Sequence, residues 1–329
     1  MDELKKFIQA AFKDGASDVH LIAGSVPFVR VRDSLKPIGK SVLSAADVQK
    51  IVSSLLTQNQ LRELDQSGDV DFGVVVSDVS VRVNIHRHTL GLGMAIRIIP
   101  KKIQSPEALR FHETMMTIPK LEDGFVIVSG PTGSGKSTTL ASLIDQINST
   151  SARHIITLED PIEYRFANQK SLIEQRQLGT DFPSFQKGLR HVLRQDPDVI
   201  VVGEMRDPET ISLALTAAET GHLVLSTLHA PNAAEVVERI VNVFEGAQQQ
   251  QVLVQLAATL RVVVAQRLLA SKDGPLVAVR EILTSTPAVQ NAIRMNNLSV
   301  IRSSIQTGKK FGMISMEQSI KELESKGVI

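Results

Sequence analysis

Apolar residues recur at helical spacing at the start of the chain, at Leu4, Phe7, Ile8 and Phe12, and predict a helix over 3–14 that Gly15 ends. The period then shortens. Residues 17–22, 27–32 and 35–38 read as short strands, with turn signals at Gly24-Ser25 and Asp33-Ser34, and the last two make a hairpin. Ser44, with Asp47 three positions on, reads as a capping box that opens a helix running to about residue 56. A polar helix over 58–66 follows, then strands over 71–76, 80–86 and 93–99. No βαβ rhythm runs through this stretch. Residues 1–98 are therefore expected to form a small α+β domain, and 99–111, with Pro100 and the 101–106 stretch, a linker.

Beyond the linker the rhythm changes. Apolar strands over 125–129, 154–158, 199–202 and 223–227 alternate with helical segments, including 138–147, one opening near residues 205–210, 233–243 and 249–260. Strands are also expected over 261–270 and 276–283, joined by a turn at 271–274, and helices over 287–296, 298–307 and 315–325. The fold class is α/β: an open-sheet nucleotide-binding core over 112–329 with a helical C-terminal part.

Composition narrows the function. The 329 residues are 43% hydrophobic and 22% charged, enough for two domains with real cores. Basic and acidic residues balance, 12 against 11 over 1–98 and 24 against 24 beyond, which argues against a nucleic-acid-binding domain or an acidic tail. Aromatics are 4% with no Trp, which disfavours stacking on single strands. The absence of Cys removes disulfides, thiol catalysis and Cys-ligated zinc, and fits a reducing compartment. Met1-Asp2-Glu3 opens without an apolar signal stretch and no run is long enough to cross a bilayer, so a soluble cytoplasmic protein is expected.

The chemistry concentrates in the second part. The strand over 125–129 runs into Gly130-Pro131-Thr132-Gly133-Ser134-Gly135-Lys136-Ser137, followed by Thr138 and a helix. This is a complete phosphate-binding loop in its strand–loop–helix context. Its glycines let backbone N–H groups face a ligand, and the helix N-terminus adds partial positive charge. Lys136 is expected to reach the β- and γ-phosphates, and Ser137 to hold Mg²⁺ through its hydroxyl. The second strand ends in Glu159-Asp160-Pro161-Ile162-Glu163, acids placed for metal or water handling, or simply for capping a turn. The third ends in Gly203-Glu204, an arrangement in which the carboxylate orients hydrated Mg²⁺. His222 and His229 bracket the fourth strand at a spacing that fits no zinc pair. Arg190, Arg194, Arg206 and Arg239 are candidates for trans-acting fingers or for ordinary salt bridges, and Arg82 and Arg97, on predicted strands, for phosphate contacts or structural pairing. His20 and His86 read as structural.

Taken together, these segments resemble type IV pilus retraction ATPases of the PilT type, within the secretion-ATPase superfamily. Leu158-Glu159-Asp160-Pro161-Ile162-Glu163 matches the family's Asp box, Gly203-Glu204-Met205-Arg206-Asp207 its Walker B segment and Ser226-Thr227-Leu228-His229-Ala230 its His box; residues 15–21 resemble its opening. The resemblance implies a PAS-like N-terminal domain, a RecA-like ATPase domain, ATP and Mg²⁺ as ligands, and a homo-hexameric ring at the cytoplasmic base of the pilus machine. It further implies an inner-membrane platform protein as partner, room for a homologous motor paralogue, and no direct nucleic acid. By the same resemblance Glu163 is the acid that activates water, with Glu159 as the alternative; Glu204 is the Walker B acid; His222 and His229 are the His-box pair; Arg82 and Arg97 match N-terminal-domain arginines that approach the nucleotide; and Arg194, a catalytic candidate, matches an arginine of the stretch before Walker B.

Retraction enzymes of this family carry Ala-Ile-Arg-Asn-Leu-Ile-Arg near the C-terminus. The matching stretch here is Ala288-Val289-Gln290-Asn291-Ala292-Ile293-Arg294, with Gln290 in place of the first arginine. The expected function is ATP hydrolysis that powers pilus retraction and twitching motility. The alternatives are an accessory or regulatory ATP-binding paralogue, a pilus-assembly or type II secretion ATPase, and, least supported by charge, a nucleic-acid translocase.

Overall fold

The computed structural model describes residues 2–31, 34–77, 79–99, 102–272, 274 and 276–329. Arg32 and Asp33, at the first hairpin turn, Pro100 and Lys101, at the head of the linker, and Asp273, in the 271–274 turn, lie outside them. The chain divides into two compact units, Met1–Lys102 with Pro161–Arg165, and Ile103–Asp160 with Phe166–Ile329.

In the N-terminal unit, strands β1 (Asp18–Ile22), β2 (Phe28–Val31), β3 (Ser34–Pro37), β4 (Asp69–Val76), β5 (Val79–His88) and β6 (Gly91–Ile98) form one antiparallel sheet in the order β3-β2-β1-β6-β5-β4. Strand β5 alternates strictly, burying Val79, Val81, Val83 and Ile85. The helices Asp2–Lys13, Ala45–Ser53 and Gln58–Ser67 add Leu4, Ile8, Val48, Ile51 and Leu64 to that core. Ser44 and Asp47 make both bonds of the expected capping box. Thr57 and Gln60 make a second one, and Gly68, at φ 82°, stops that helix in the left-handed conformation.

The C-terminal unit is a three-layer α/β/α structure. Strands β7 (Gly124–Ser129), β8 (His154–Glu159), β9 (Leu172–Gln177), β10 (Val199–Val202), β11 (Leu223–Leu228), β12 (Leu260–Ala270) and β13 (Leu276–Thr284) lie in the order β13-β12-β7-β11-β10-β8-β9. All neighbours are parallel except the antiparallel pair β12–β13. The central strands are apolar throughout because both faces are covered. Phe125 and Ile127 of β7 pack with the helices Pro208–Glu219, Ala233–Asn242 and Ala247–Thr259 and with the tail helices Pro287–Arg294 and Leu298–Thr307. Val126 and Val128 face the other way, onto Leu140, Leu143 and Ile147 of the helix Lys136–Thr150. Each such fully buried side chain contributes about 1.5–3 kcal/mol.

The sheet exceeds the four apolar strands read as its core. Strands β12 and β13, expected as strands, extend it on one side. Strand β9 extends it on the other, where its Leu-Ile-Glu-Gln-Arg-Gln sequence is half exposed at the edge and carries no apolar run to betray it. The short helix Phe185–Val192 and the 3-10 helix Glu113–Lys120 are likewise additions to the sequence reading. The phosphate-loop helix starts at Lys136, two residues before the position its apolar pattern suggests. Among the described residues no helix is long and apolar enough to cross a membrane.

Candidate nucleotide site

The carboxyl end of β7 is a topological switch point: the chain leaves it for β8 on one side, and the return strand β12 lies on the other. The loop starts there. Gly130, Gly133 and Gly135 have φ of 145°, 78° and 84°, values that turn successive N–H groups toward one concavity. Gly130 is required for a second reason. A Cβ at this position would lie 2.2 Å from the Gln266 carbonyl oxygen and 2.6 Å from Ser134 Oγ. Gly135 caps the helix without a side-chain hydrogen bond, so the N–H groups of the first turn are available to an anion. Lys136 Nζ lies over the loop and donates to the carbonyls of Gly130 at 2.9 Å and Pro131 at 3.0 Å.

Gln266 braces the loop from β12. Its side chain is 1% exposed, accepts from Thr139 Oγ1 at 2.8 Å and donates to the Ser134 carbonyl at 2.6 Å. The sequence reading passed over it. The available signal was weak: a polar residue closing the apolar run Val262-Val263-Val264-Ala265, with Arg267 next to it.

Glu204 follows the next-but-one strand, β10. Its Oε2 accepts from Arg206 at 2.8 Å and its Oε1 lies 3.3 Å from His229 Nε2. Burial pushes the Glu204 carboxyl up, but the Arg206 hydrogen bond and charge, with His229 and Lys136 behind them, hold it below its ordinary value. Burial, then the Lys136 charge, lowers His229 below the usual imidazole value. Local bonds tie together the strand ends that carry these side chains. Thr227 Oγ1 donates to the Gly203 carbonyl at 2.5 Å and Ser226 Oγ to the Val202 carbonyl at 2.7 Å. The Gly203 N–H donates to the Leu158 carbonyl at 2.8 Å, which sets Glu204 beside the end of β8. At that end Glu159 Oε1 accepts from Thr157 Oγ1 at 2.6 Å and Gln175 Nε2 at 3.1 Å.

The C-terminal unit thus brings together the loop, Ser137 and Thr138 in the first turn of its helix, Glu159, Glu204 and His229. His222 is at the opposite, amino end of β11, with Nδ1 against the Ala217 carbonyl at 2.9 Å, and is not brought to the loop. Arg194 is exposed just before β10, also at the amino edge of the sheet. Three of the other arginines pair internally: Arg190 with Glu209, Arg206 with Glu204, and Arg239 with the His229 carbonyl. Glu163, Arg82 and Arg97 belong to the N-terminal unit. There Arg82 and Arg97 are direct partners across β5 and β6, with Asp71 at 3.9 Å and Asp18 at 3.0 Å offsetting their repulsion.

Among the described residues no group of three or more His, Asp or Glu could cage a metal. A hydroxyl from Ser137 and a carboxylate from Glu204 instead suit an ion that keeps most of its waters and takes further oxygens from phosphate, the habit of Mg²⁺.

The chain matches the family described as "Type II/IV secretion system protein" over residues 1–281. It is 40% identical to the type IV pilus retractation ATPase PilT of Pseudomonas aeruginosa over 328 residues, 99% of this chain and 95% of that one. It is 45% identical to a twitching motility protein of Neisseria gonorrhoeae over 310 residues, 94% of this chain and 83% of that one. Its fold matches the crystal structure of the pilus retraction motor PilT with bound ADP at a TM-score of 0.91 and 40% identity, covering 99% of this chain and 94% of that one.

Proposed function

The chain belongs to the type II/IV secretion system protein family as a P-loop ATPase motor related to PilT, with a RecA-like core and a helical C-terminal region, and we propose that it hydrolyses Mg²⁺-ATP to retract type IV pili. The observation that carries this reading is the joint geometry of the glycine-built loop, Lys136 and the Glu204–His229 pair at one end of one sheet. In this reading the loop N–H groups from Gly130 to Thr138 cradle the phosphates and Lys136 transfers its hydrogen bonds from loop carbonyls to phosphate oxygens. Ser137 and Glu204 would hold a hydrated Mg²⁺, which when bound would offset the charge developing on the γ-phosphoryl group. His229 keeps Glu204 oriented. Glu159 Oε1 is already engaged by Thr157 and Gln175, so Glu163 is the better candidate to position the attacking water. Arg82, Arg97, Arg194 and His222 would serve a site of a neighbouring copy of the chain, which calls for a ring. We assign a homo-hexamer at the cytoplasmic face of the inner membrane, docked on the platform protein of the pilus machine.

The test has two levels. Purified full-length protein should hydrolyse ATP in a Mg²⁺-dependent way, and Lys136→Ala and Glu204→Gln, folded as wild type, should each lose turnover. Unchanged turnover in either variant overturns the assignment. In cells, imaging of labelled pili should show retraction lost on deletion and restored by wild type but not by Lys136→Ala.

One observation favours a second reading, an accessory motor beside a homologous one. Within the helix Pro287–Arg294, Val289 and Ala292 are buried and simply fill the core. Gln290, where retraction enzymes carry arginine, is half-buried and donates to Ser285 Oγ at 3.1 Å, leaving this helix one cation short. Retraction that persists after deletion would select this reading.

A further inference from the structure

The helix Ala233–Asn242 begins shortly after His229, and its first N–H group is met from outside the helix. Glu281 Oε1, on the edge strand β13, accepts from the Ala233 N–H at 2.8 Å. The helix's own cap is separate: Asn232 Oδ1 accepts from the Glu235 N–H at 2.9 Å. Glu281 is half-buried and shares a strand face with the buried Val279 and Leu283, so it is a carboxylate set in an apolar layer. Burial pushes it above its ordinary value, with Glu235 adding to the push, against the pull of the Ala233 and Met316 N–H groups and of Arg302. Met316 opens the last helix of the chain. The carboxylate therefore stands where two helix N-termini converge, each offering N–H groups and partial positive charge.

Glu281 does not itself reach the phosphates. Its cross-strand neighbour is Ala265 of β12, whose own neighbour is Ser129 at the end of β7. Two strand spacings put it about 10 Å from β7. It reaches the site through the helix it holds. Arg239 of that helix donates to the His229 carbonyl at 2.7 Å, and His229 Nε2 lies 3.3 Å from Glu204 Oε1. Helix and histidine are thus bound to each other, and Glu281 binds the pair to the sheet. The helix is otherwise seated by apolar contacts of Ala233, Ala234, Val236 and Val237, which are non-directional and do not fix where its first turn points.

We propose that Glu281 is a positioning residue of the nucleotide site: its bond to the Ala233 N–H sets the start of the helix against β13, and so sets the His229 imidazole against Glu204. The consequence for turnover rests on the ATPase reading above; the consequence for His229 does not.

The experiment labels the nucleotide-free full chain with diethyl pyrocarbonate at one pH and reads each histidine by peptide mass spectrometry. His229 is 33% exposed and open to the reagent. His222, at the opposite end of β11, is the internal control. Glu281→Met keeps the length of the side chain and removes the acceptor; His229 should then react about two- to tenfold faster relative to His222, the range of one hydrogen bond. Glu281→Asp keeps the charge but falls short of the Ala233 N–H, and should give the same selective rise even where Glu281→Met does not fold. Glu281→Gln keeps an oxygen for that N–H and should restore most of the wild-type ratio. In steady-state hydrolysis, Glu281→Met should lower kcat about tenfold with ATP KM within about twofold, because the loop and Lys136 still bind the nucleotide. An unchanged His229/His222 ratio in both Met and Asp variants overturns the proposal. So does a parallel rise at His222, or failure of both variants to fold, each the mark of a structural brace, and so does a loss carried by KM. A wild type without turnover would overturn the ATPase reading instead, and the labelling ratio would still decide this one.

Discussion

Gln266→Leu tests whether the phosphate loop takes its shape from β12. The substitution keeps the strand apolar and near its volume but removes both hydrogen bonds, to Thr139 Oγ1 at 2.8 Å and the Ser134 carbonyl at 2.6 Å. Thr139 and Gln266 are each 1% exposed, so water cannot substitute. Each buried polar group left unmade costs about 1–3 kcal/mol, about 2–6 kcal/mol for the pair. The Thr139 hydroxyl has a partial escape, because it can turn to the carbonyl of the preceding helical turn; the expected loss is therefore about 2–3 kcal/mol. Urea unfolding of the full chain measures it. ADP affinity should fall at least about tenfold, some 1.4 kcal/mol, because the Ser134 carbonyl sits inside the loop that wraps the phosphates. Adding Thr139→Val removes the orphaned hydroxyl and should restore about half the stability while leaving ADP affinity low. If Gln266→Leu leaves both the urea midpoint and ADP affinity unchanged, the bracing argument is wrong.

Gly130→Ala should abolish ADP binding in calorimetry, since its Cβ would lie 2.2 Å from a backbone oxygen at a φ of 145°; near-native affinity would mean that the loop relaxes freely. Stability should fall with pH in two steps. Burial holds His229 below its ordinary 6.5, so the unfolded chain binds that proton first and stability is lost as pH drops below about 6.5. Despite the upward push of burial, the bond and charge of Arg206 hold Glu204 below 4.5, so its contribution is lost as pH falls through the still lower folded value. His229→Asn should shrink the first step without erasing it, because burial depresses His112 in the same sense. An identical slope in that variant, followed by Tm between pH 7 and 5.5, would exclude His229 as its source.

Much of this was legible because apolar runs and punctuation residues act locally. Ser44 and Asp47 cap where they should, and the strands ending at Ser129, Val202 and Leu228 are apolar because they are buried on both faces. The loop, Lys136, Ser137 and Glu204 could be read because chain order puts them at the carboxyl ends of such strands. What failed to show was set by neighbours. Strand β9 is polar because it lies at an edge, and its pairing with β8 supplies the order that its composition does not. His222 and His229 look equivalent as a pair of histidines, yet a six-residue strand separates them, about 20 Å at 3.3 Å per residue, so only one can face the loop.

Gln266 and Arg280 sharpen the same point. Each is a buried polar side chain on a strand, on β12 and β13 respectively, and each is followed at once by a charged residue, Arg267 and Glu281. Hydrogen-bond accounting separates them. The Gln266 oxygen and nitrogen both meet partners within 2.8 Å, in the loop and its helix, so its role is spent on holding those elements. Arg280 spends one nitrogen in the same way, on two backbone carbonyls, while its Nε and Nη2 are buried without a hydrogen-bond partner among the described residues. A buried polar residue whose bonds are complete acts as a brace. One whose donors are left over carries the desolvation cost of burial with no bond to offset it, and burial accordingly pulls Arg280 down to about 10.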